Sequence, residues 1–461
     1  MIDLSPQRIA DAAGAQITSK GESAGPERAV IDSRAAAAGD LFVGLPGEHA
    51  DGGAFAAAAL DAGAWGVLVA PTHADGLEGG WVLSAPDPLA AMGLIAREWR
   101  RELGARVVGV TGSVGKTSVK DICAGLLPGS VHASPENFNT EIGLPLTVLD
   151  APAGTDLLVL EMAMRGPGQI AELAAIAEPD VAVITNVGPV HIELLGSVEA
   201  IAAVKAEILA DLPQGGAAVV PVDAAELEPH LDAVPRLIRF GEGGDVRLLE
   251  AALGDGGAEA LIATPDGEQR FSFPFGEGYN LTNALAAIAA GIALGASPAE
   301  MSDRAPSIRF SRLRGERLEL GDGVVLVNDC YNANPVSMRA ALDHLGSLAV
   351  DGRRIAVLGE MAELGHEGPD HHRDVGAHAR EAGVELLVGV GEPARDYAPD
   401  QLVADPTEAA ELLAPLLGHG DAVLVKGSRS AGLELVAETL PSLIDLGGAA
   451  PGRASGGGRD G

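Results

Sequence analysis

Short apolar runs alternate with amphipathic stretches along nearly the whole chain. Residues 40–46, 155–163 and 324–329 are runs of this kind, rich in valine and leucine and bounded by polar or turn-forming residues. Between the runs, apolar residues recur at three- and four-residue steps, which is the spacing of a helix with one buried face. Buried strands separated by such helices are typical of a parallel sheet covered by helices. The pattern therefore predicts an α/β fold.

The same pattern divides the chain into three α/β units and a tail. Residues 1–104 combine short strand signals with an alanine-rich helical stretch, which predicts a small N-terminal α/β domain. Residues 105–305 open with a strand, a glycine-containing loop and a helix, and are predicted to form a central domain on a parallel sheet. Residues 306–446 alternate strands and helices again, which predicts a Rossmann-like C-terminal domain. Residues 447–461 are of low complexity, and we expect them to be disordered.

One amphipathic stretch carries an ammonium on its apolar side. In VEAIAAVKAEIL, residues 198–209, the valines and isoleucines form a single helical stripe, and Lys205 falls on it. Three interpretations are open: the amine extends to water, it contacts a phosphate, or it is desolvated and nucleophilic enough to add CO₂. The position stands out because the chain contains only five lysines, at Lys20, Lys116, Lys120, Lys205 and Lys426.

Composition narrows the class of protein. The formal net charge is -34, which argues against general nucleic-acid binding because phosphate backbones would be repelled. Cys123 and Cys330 are far apart and lack metal-ligand spacing, so we expect a reducing compartment and no zinc site. The N-terminus lacks the features of a signal peptide, and no apolar run approaches the length of a membrane span. We therefore expect a cytoplasmic protein, without an integral membrane segment and in monomeric form.

A phosphate-binding loop (P-loop) follows the first strand of the central domain. TGSVGKTS, residues 111–118, leads into an amphipathic helix, so backbone N–H groups and the helix N-terminus would face phosphate oxygens. The usual first glycine is replaced by Val110. Lys116 would reach the β- and γ-phosphates, the Thr117 hydroxyl would bind Mg²⁺, and Lys120 is expected to be solvated. The predicted nucleotide-binding residues here are Thr111, Gly112, Ser113, Val114, Gly115, Lys116, Thr117 and Ser118.

Two further candidates for metal binding lie beyond neighbouring strands. Glu161 ends the apolar strand of residues 155–163, and His191 follows the strand signal of residues 180–186. Ligands at the carboxyl ends of parallel strands meet at one edge of the sheet, beside the P-loop. Glu161 could equally be a surface carboxylate, and His191 a capping or core histidine. With a P-loop in the same sheet, both become candidate ligands of Mg²⁺.

Together, these residues resemble the Mur ligase family, the ATP-dependent ligases that build the peptide of peptidoglycan. The resemblance rests on TGSVGKTS, the strand-end Glu161, TNVGPVHIELLGS at residues 185–197 and KAEIL at residues 205–209. It implies that the loop binds ATP, that Glu161 and His191 bind Mg²⁺, and that Lys205 carries a CO₂-derived carbamate that stabilises a second Mg²⁺. It also implies catalytic roles for Lys116, Lys205 and His191.

The last third of the chain indicates a branch of that family. NDCYNANP at residues 328–335 resembles the branch that joins D-alanyl-D-alanine to UDP-N-acetylmuramoyl-tripeptide through an acyl phosphate, and residues 357–365 and 423–434 also fit it. The resemblance implies that residues 32–55 belong to a uridine-nucleotide-binding domain and that residues 136–149 lie near the substrate. The substrate residues so implied are Asp32, Ser33, Arg34, Asn137, Asn139 and Thr140, with Lys426 on a third-domain loop, where a solvated strand-end lysine is the alternative.

Among the nucleotide contacts that the resemblance implies, one position differs from the family pattern, and one role has two candidate arginines. Tyr279 stands where the family has a histidine, and Arg317 fits the family arginine near the γ-phosphate better than its competitor Arg314. A loop rich in asparagine can also simply cap the next helix, so that interpretation stays open. The remaining predicted nucleotide-binding residues are Asn283, Asp329, Tyr331, Asn332 and Asn334.

Two alternatives to this function remain. One is another Mur-type ligase, chiefly the enzyme that adds the third residue, against which residues 328–335 argue. The other is a P-loop protein that binds nucleotide without ligation, and it would have no need of Glu161, His191 and Lys205 together.

Overall fold

The computed structural model describes residues 4–22, 25–47, 50–135, 137–188, 195–254 and 257–444. The predicted metal ligand His191 and the predicted disordered tail, residues 447–461, lie outside the described residues. The described helices are α1 (Pro6–Ala13), α2 (Ala56–Asp61), α3 (Pro71–Ala74), α4 (Pro88–Leu103), α5 (Lys116–Leu126), α6 (Gly143–Asp150), α7 (Gln169–Ala177), α8 (Val198–Ala206), α9 (Gly278–Ala293), α10 (Pro298–Arg304), α11 (Pro335–Ser347), α12 (Gly368–Glu381), α13 (Pro406–Leu413) and α14 (Glu434–Leu443).

The strands form four sheets, and most of the apolar runs in the sequence are strands. The described strands are β1 (Gln16–Ser19), β2 (Arg28–Val30), β3 (Asp40–Val43), β4 (Gly66–Val69), β5 (Trp81–Ser84), β6 (Arg106–Thr111), β7 (Val131–Ala133), β8 (Leu157–Glu161), β9 (Val181–Ile184), β10 (Ala217–Pro221), β11 (Leu237–Phe240), β12 (Arg247–Gly254), β13 (Gly257–Thr264), β14 (Gly267–Phe273), β15 (Glu316–Gly321), β16 (Val324–Asn328), β17 (Arg354–Leu358), β18 (Leu386–Val390), β19 (Gln401–Val403) and β20 (Ala422–Lys426).

The N-terminal sheet lies within the predicted first domain. Its strand order is β1-β5-β4-β3-β2, with β1 antiparallel to β5 and the other pairs parallel. Helix α4 connects this sheet to the central one: Asp87 caps its first turn, and Gly104, with φ 64°, ends it. Buried residues of α4 belong to one apolar core that includes strands of both sheets.

The central sheet brings three loops to one edge. Its six strands are all parallel, in the order β11-β10-β9-β6-β8-β7. Val110 at the end of β6 pairs with Glu161 on β8, and Thr111 pairs with Ile184 on β9. The P-loop therefore lies between Glu161 and the segment that follows β9, as the sequence predicts for a switch-point site.

The central domain also contains a three-stranded antiparallel sheet, β12-β13-β14, that the sequence pattern did not indicate. All eight residues of β12 are exposed, so the strand has no alternation of buried and exposed positions. The edge strand β19 was missed as well, because it has only three residues. Pattern reading detects strands through the burial of alternate side chains, which β12 lacks and β19 is too short to show. In β13, Ala258, Ala260 and Ile262 are buried in alternation, and the strand was missed despite that pattern.

The third sheet has the order β15-β16-β20-β17-β18-β19, with β15 antiparallel to β16 and the other pairs parallel. Ile308 is buried in the core of the central domain, whereas Leu313 belongs to the core of the third. The chain thus passes from the core of the central domain to that of the third between residues 308 and 313, a few residues after the predicted boundary at residue 305.

In the part of the chain that the structure describes, no helix combines the length and apolar character needed to cross a bilayer.

Two buried tryptophans of the shared core provide a matched test of the packing. The indole N–H of Trp99 donates to the carbonyl oxygen of Ala151 at 3.1 Å, whereas the buried indole nitrogen of Trp65 has no partner among the described residues. Both Trp→Phe changes remove similar apolar area. Because Trp99→Phe also leaves a carbonyl unsatisfied, we expect it to lower the free energy of unfolding by about 1 kcal/mol more than Trp65→Phe does. Denaturant unfolding of the two variants checks this, and equal losses would contradict it.

Candidate active site

A cavity of about 420 Å³ lies between the central and third domains. The P-loop and the ends of β8 and β9 line it from the central domain, together with the start of α9. From the third domain, it is lined by the loop that joins β16 to α11, called here the asparagine loop (residues 329–334), and by the end of β20. The predicted residues that line it are Ser113, Val114, Gly115, Lys116, Thr117, Ser118, Asn139, Glu161, Asn283, Asp329, Tyr331, Asn332, Asn334 and Lys426.

The P-loop has the shape expected of a phosphate cradle. Gly112 has φ 151°, and a side chain there would collide with the Thr185 hydroxyl. Gly115 has φ 83°, and a side chain there would collide with the side-chain amide of Asn283. Both residues line the cavity. The amine of Lys116 folds back onto the Gly112 carbonyl oxygen at 2.9 Å. The N-terminus of α5 begins here, so its backbone N–H groups are oriented toward an anion.

Two residues that we did not predict shape this loop from the adjacent strand end. The Asn186 side-chain oxygen accepts hydrogen bonds from the backbone N–H groups of Ser113 at 3.0 Å and Val114 at 2.9 Å. The hydroxyl of Thr185 donates to the carbonyl oxygen of Val114. The signals in the sequence were their position directly after β9, opposite the P-loop, and their place at the start of the motif TNVGPVHIELLGS.

A carboxylate and a hydroxyl form the oxygen pair at the centre of the site. Thr117 Oγ1 donates to Glu161 Oε2 at 2.8 Å, and the Asn139 amide donates to Glu161 Oε1 at 2.8 Å. Hydroxyl and carboxylate oxygens are the ligand types that Mg²⁺ prefers, usually completed by substrate phosphates and water. The described residues contain no group of three or more His, Cys, Asp or Glu that could hold a metal ion. The donor set thus fits Mg²⁺ that shares its ligands with a bound phosphate.

Lys205 is buried near Lys116. Its side chain is 2% exposed, so the interpretation in which the amine extends to water is wrong. Burial lowers the pKa of the Lys205 amine well below its ordinary value, and the nearby Lys116 ammonium lowers it further. Burial also lowers the pKa of Lys116, while the Glu161 charge acts in the opposite direction. Lys205 is not among the residues that line the cavity.

Lys120 is also buried, contrary to the expectation that it is solvated. It lies on α5 with only 2% of its side chain exposed and forms an ion pair with Asp121 at 2.8 Å. Its amine donates to the carbonyl oxygen of Ser134 at 2.8 Å. Lys120 can therefore be buried in the domain interior, because a carboxylate pairs with its charge and a carbonyl oxygen accepts its hydrogen bond.

Arg314, and not the predicted Arg317, lies at the P-loop. The Arg314 guanidinium donates to the Thr117 hydroxyl oxygen at 3.0 Å and stacks over the Tyr331 ring at 4.1 Å. Arg317 is on β15, exposed, and lines a separate cavity of about 310 Å³. The physical reason is the backbone between them: Gly315 adopts φ 68°, and the strand that follows directs Arg317 away from the loop.

The asparagine loop is held by the buried Lys426. The amine of Lys426 donates to Asp329 Oδ2 at 2.6 Å and to the carbonyl oxygen of Asn332 at 2.9 Å, so the lysine is not solvated. Asn334 caps α11 by accepting from the backbone N–H of Ser337 at 2.9 Å, as the capping interpretation expected. The loop therefore both caps a helix and lines the cavity.

Other predicted residues lie apart from the cavity. Asp32 and Arg34 form an exposed ion pair at 2.7 Å in the N-terminal domain, and the arginine lowers the pKa of Asp32 to about 2. Thr111 is buried at the end of β6. None of these residues lines the cavity, and neither do Ser33, Asn137 and Thr140.

Tyr279, at the family's histidine position, does line the cavity. Burial raises the pKa of its hydroxyl well above the ordinary value, and the charges of Asp329 and Glu277 raise it further. The phenol is therefore neutral at physiological pH, and can donate a hydrogen bond but carries no charge.

Comparison with known proteins gives consistent matches. Residues 110–291 match the Mur ligase middle domain, and residues 312–429 match the Mur ligase glutamate ligase domain. The chain is 36% identical to the UDP-N-acetylmuramoyl-tripeptide--D-alanyl-D-alanine ligase of Mycobacterium leprae, covering 95% of this chain and 98% of that protein. It is 34% identical to the protein of the same name from Bacillus subtilis, covering 91% and 96%.

Solved structures match over similar lengths. Crystal structure I of MurF from Acinetobacter baumannii is similar with a TM-score of 0.86 at 27% identity, covering 95% of this chain and 99% of that one. The MurF ligase from Thermotoga maritima in complex with ADP has a TM-score of 0.78 at 32% identity, covering 90% and 97%.

Lys426 and Lys20 form a matched pair for testing the buried lysine of the third domain. We expect Lys426→Met to lower the free energy of unfolding by about 2–3 kcal/mol, because it leaves the partly buried Asp329 carboxylate without its ion-pair partner. Lys20→Met, at an exposed lysine, should change it by less than about 0.5 kcal/mol. The combination of Lys426→Met with Asp329→Asn should cost less than the sum of the two single changes. Strict additivity in denaturant unfolding would contradict the assignment.

Proposed function

The chain belongs to the Mur ligase family, and on that premise we propose how its residues carry out the reaction. The protein is an ATP-dependent ligase of peptidoglycan precursor synthesis. It joins D-alanyl-D-alanine to UDP-N-acetylmuramoyl-tripeptide, the reaction for which its full-length relatives are named. The observation that carries this conclusion is the single cavity that joins the P-loop to the asparagine loop.

ATP would bind across the two domains. The backbone N–H groups of residues 115–117 and the Lys116 amine would hold the β- and γ-phosphates, as the N-terminus of α5 favours. The N–H groups of Ser113 and Val114 already donate to Asn186. The asparagine loop, with Asn283 from the central domain, offers side-chain donors and acceptors for the ribose and adenine. Arg314 would meet the γ-phosphate, and the contact of its guanidinium with Thr117 supports this.

The two reaction steps both concentrate negative charge. The terminal carboxylate of the tripeptide attacks the γ-phosphorus, the bond to the bridging oxygen breaks, and ADP leaves. The amine of D-alanyl-D-alanine then attacks the acyl carbon, loses a proton, and expels phosphate. Lys116 and Arg314 would stabilise the charge that develops, and most of the catalysis is positioning and electrostatics.

Thr117 and Glu161 would hold Mg²⁺, together with phosphate oxygens of the nucleotide. When bound, the ion would neutralise charge on the transferred phosphoryl group. His191 stays a predicted further ligand, and it lies outside the described residues.

We assign Lys205 the carbamate role. A neutral amine is needed to add CO₂, and the lowered pKa of Lys205 increases the neutral fraction at physiological pH. Addition of CO₂ to the neutral amine, with loss of a proton, would place an anion near Lys116. The attraction between that anion and the Lys116 ammonium would favour the carbamate, which provides an oxygen ligand for a second Mg²⁺.

Most of the predicted substrate residues do not line the cavity. Asn139 bonds Glu161 at the site, while Asp32, Ser33 and Arg34 would bind the uridine nucleotide in the N-terminal domain. ATP and uridine-nucleotide precursors are cytoplasmic metabolites, so we place the reaction in the cytoplasm. The monomeric state stays a prediction.

A phosphate-release assay tests the function. The protein with ATP, Mg²⁺, UDP-N-acetylmuramoyl-tripeptide and D-alanyl-D-alanine should release one phosphate for each pentapeptide formed. Single amino acids in place of the dipeptide serve as controls and should give little release. Release with a single amino acid but not with the dipeptide would favour a ligase that adds another residue. No release with any acceptor would favour nucleotide binding without ligation.

The carbamate role of Lys205 has its own test. Lys205→Ala should lower kcat by about 100-fold or more, since an anionic metal ligand is lost. Excess bicarbonate should not restore activity, whereas a short-chain carboxylic acid should restore part of it by occupying the vacated space. Lys205→Arg is the control, because it keeps the positive charge but cannot carry CO₂. Near-normal activity of Lys205→Arg would overturn the assignment.

A further inference from the structure

The segment that connects the central and third domains runs along the P-loop helix. Residues 308–314, called here the strap, contact α5 at three successive turns. Thr117, Asp121 and Gly125 are spaced four residues apart and share one face of the helix. They contact Arg314, Ser311 and Ile308, respectively, so the strap runs antiparallel to the helix.

The middle contact is the strongest of the three. The two oxygens of the buried Asp121 carboxylate accept hydrogen bonds from the backbone N–H of Ser311 at 2.8 Å and from its hydroxyl at 3.0 Å. Lys120 neutralises this carboxylate at 2.8 Å and reaches the Ser311 hydroxyl oxygen at 3.3 Å. Charge-assisted hydrogen bonds in a buried setting fix position more firmly than neutral ones do.

The third contact depends on the absence of a side chain. A Cβ built on Gly125 would lie 2.9 Å from the Cα of Ile308, closer than side-chain carbons approach backbone. Glycine in the interior of a helix costs about 1 kcal/mol relative to alanine. The close approach gives a physical reason for its presence, since it lets the strap lie flat on the helix.

The contact of Asp121 and Lys120 with Ser311 is called here the anchor. The chain turns into the third domain immediately after it. Leu313 has φ 65° and packs in the core of the third domain, and Gly315 has φ 68°. Arg314 lies between them and contacts both Thr117 and Tyr331. The Asp121 to Ser311 contact is thus the last attachment to the central domain before the turn on which the position of Arg314 depends.

The anchor is also linked to the carboxylate of the site. Lys120 donates to the carbonyl oxygen of Ser134, and the hydroxyl of Ser134 accepts from the backbone N–H of Glu161 at 3.1 Å. The same buried pair therefore connects the strap, the P-loop helix and the strand end that carries Glu161.

We propose that Asp121, Lys120 and Ser311 are positioning residues that hold the strap on α5, and that they thereby place Arg314 at the P-loop for phosphoryl transfer. None of the three lines the cavity, and they act through Arg314. This inference rests on the proposed function, because it assigns Arg314 to the γ-phosphate.

The test compares Ser311→Ala with Ser311→Thr and with the neighbouring strap residue Arg312, whose side chain is 76% exposed. Ser311→Ala should lower kcat for ligation about 10- to 100-fold, the loss expected when a charge-stabilising group moves by about 1 Å, with little change in the KM for ATP. Ser311→Thr keeps the hydroxyl and should retain most activity. Arg312→Ala should stay within about twofold of the unmodified protein.

A double-mutant cycle separates positioning from general destabilisation. In an Arg314→Ala background, Ser311→Ala and Asp121→Asn should cause no further loss of kcat, because the group that they place is already absent. Thermal unfolding of each variant checks that the protein is folded, and Ser311→Ala keeps the test valid if Asp121→Asn does not fold. Additive losses, or unchanged kcat in Ser311→Ala, would overturn the proposal. An unmodified protein without ligase activity would instead contradict the proposed function.

Discussion

The site depends on the crowding of cations around one carboxylate. Lys116 and Arg314 lie near Glu161, whose two oxygens accept hydrogen bonds from Thr117 and Asn139, and the buried Lys205 lies near Lys116. Burial lowers the pKa of both lysines; the Arg314 charge lowers that of Lys116 further, and the Lys116 charge lowers that of Lys205 further. A bound anion would therefore be favoured there. A polyphosphate would supply such an anion, and the carbamate that we assign to Lys205 would supply a second.

The same constraint explains why two domains share the site. The central domain provides the P-loop and Glu161, but the arginine that reaches Thr117 lies at the turn into the third domain. The asparagine loop, held by the buried Lys426, provides the opposite wall. Anchoring the strap to α5 therefore decides whether cation, phosphate and nucleoside contacts can form together.

Sequence reasoning succeeded where chemistry and pattern coincide in a short stretch. TGSVGKTS between a buried strand and an amphipathic helix defined the P-loop, and the parallel order of strands placed Glu161 beside it. The choice between Arg314 and Arg317 failed because it depends on the backbone at Gly315 and on the direction of β15, which three residues of sequence do not specify. The prediction that Lys120 is solvated was wrong for a related reason. Two of the residues that its amine contacts, Ser134 and Ser311, are distant in sequence. Asn186 stands in the motif TNVGPVHIELLGS, but the sequence did not indicate that its carboxamide orders the P-loop.

The most direct measurement is a crystal structure with a non-hydrolysable ATP analogue. We predict that the phosphates lie on the backbone N–H groups of residues 115–117 with Lys116 beside them, that Arg314 contacts the terminal phosphate, and that the asparagine loop contacts the nucleoside. An analogue held by the central domain alone, with Arg314 and the asparagine loop turned away from it, would contradict the account.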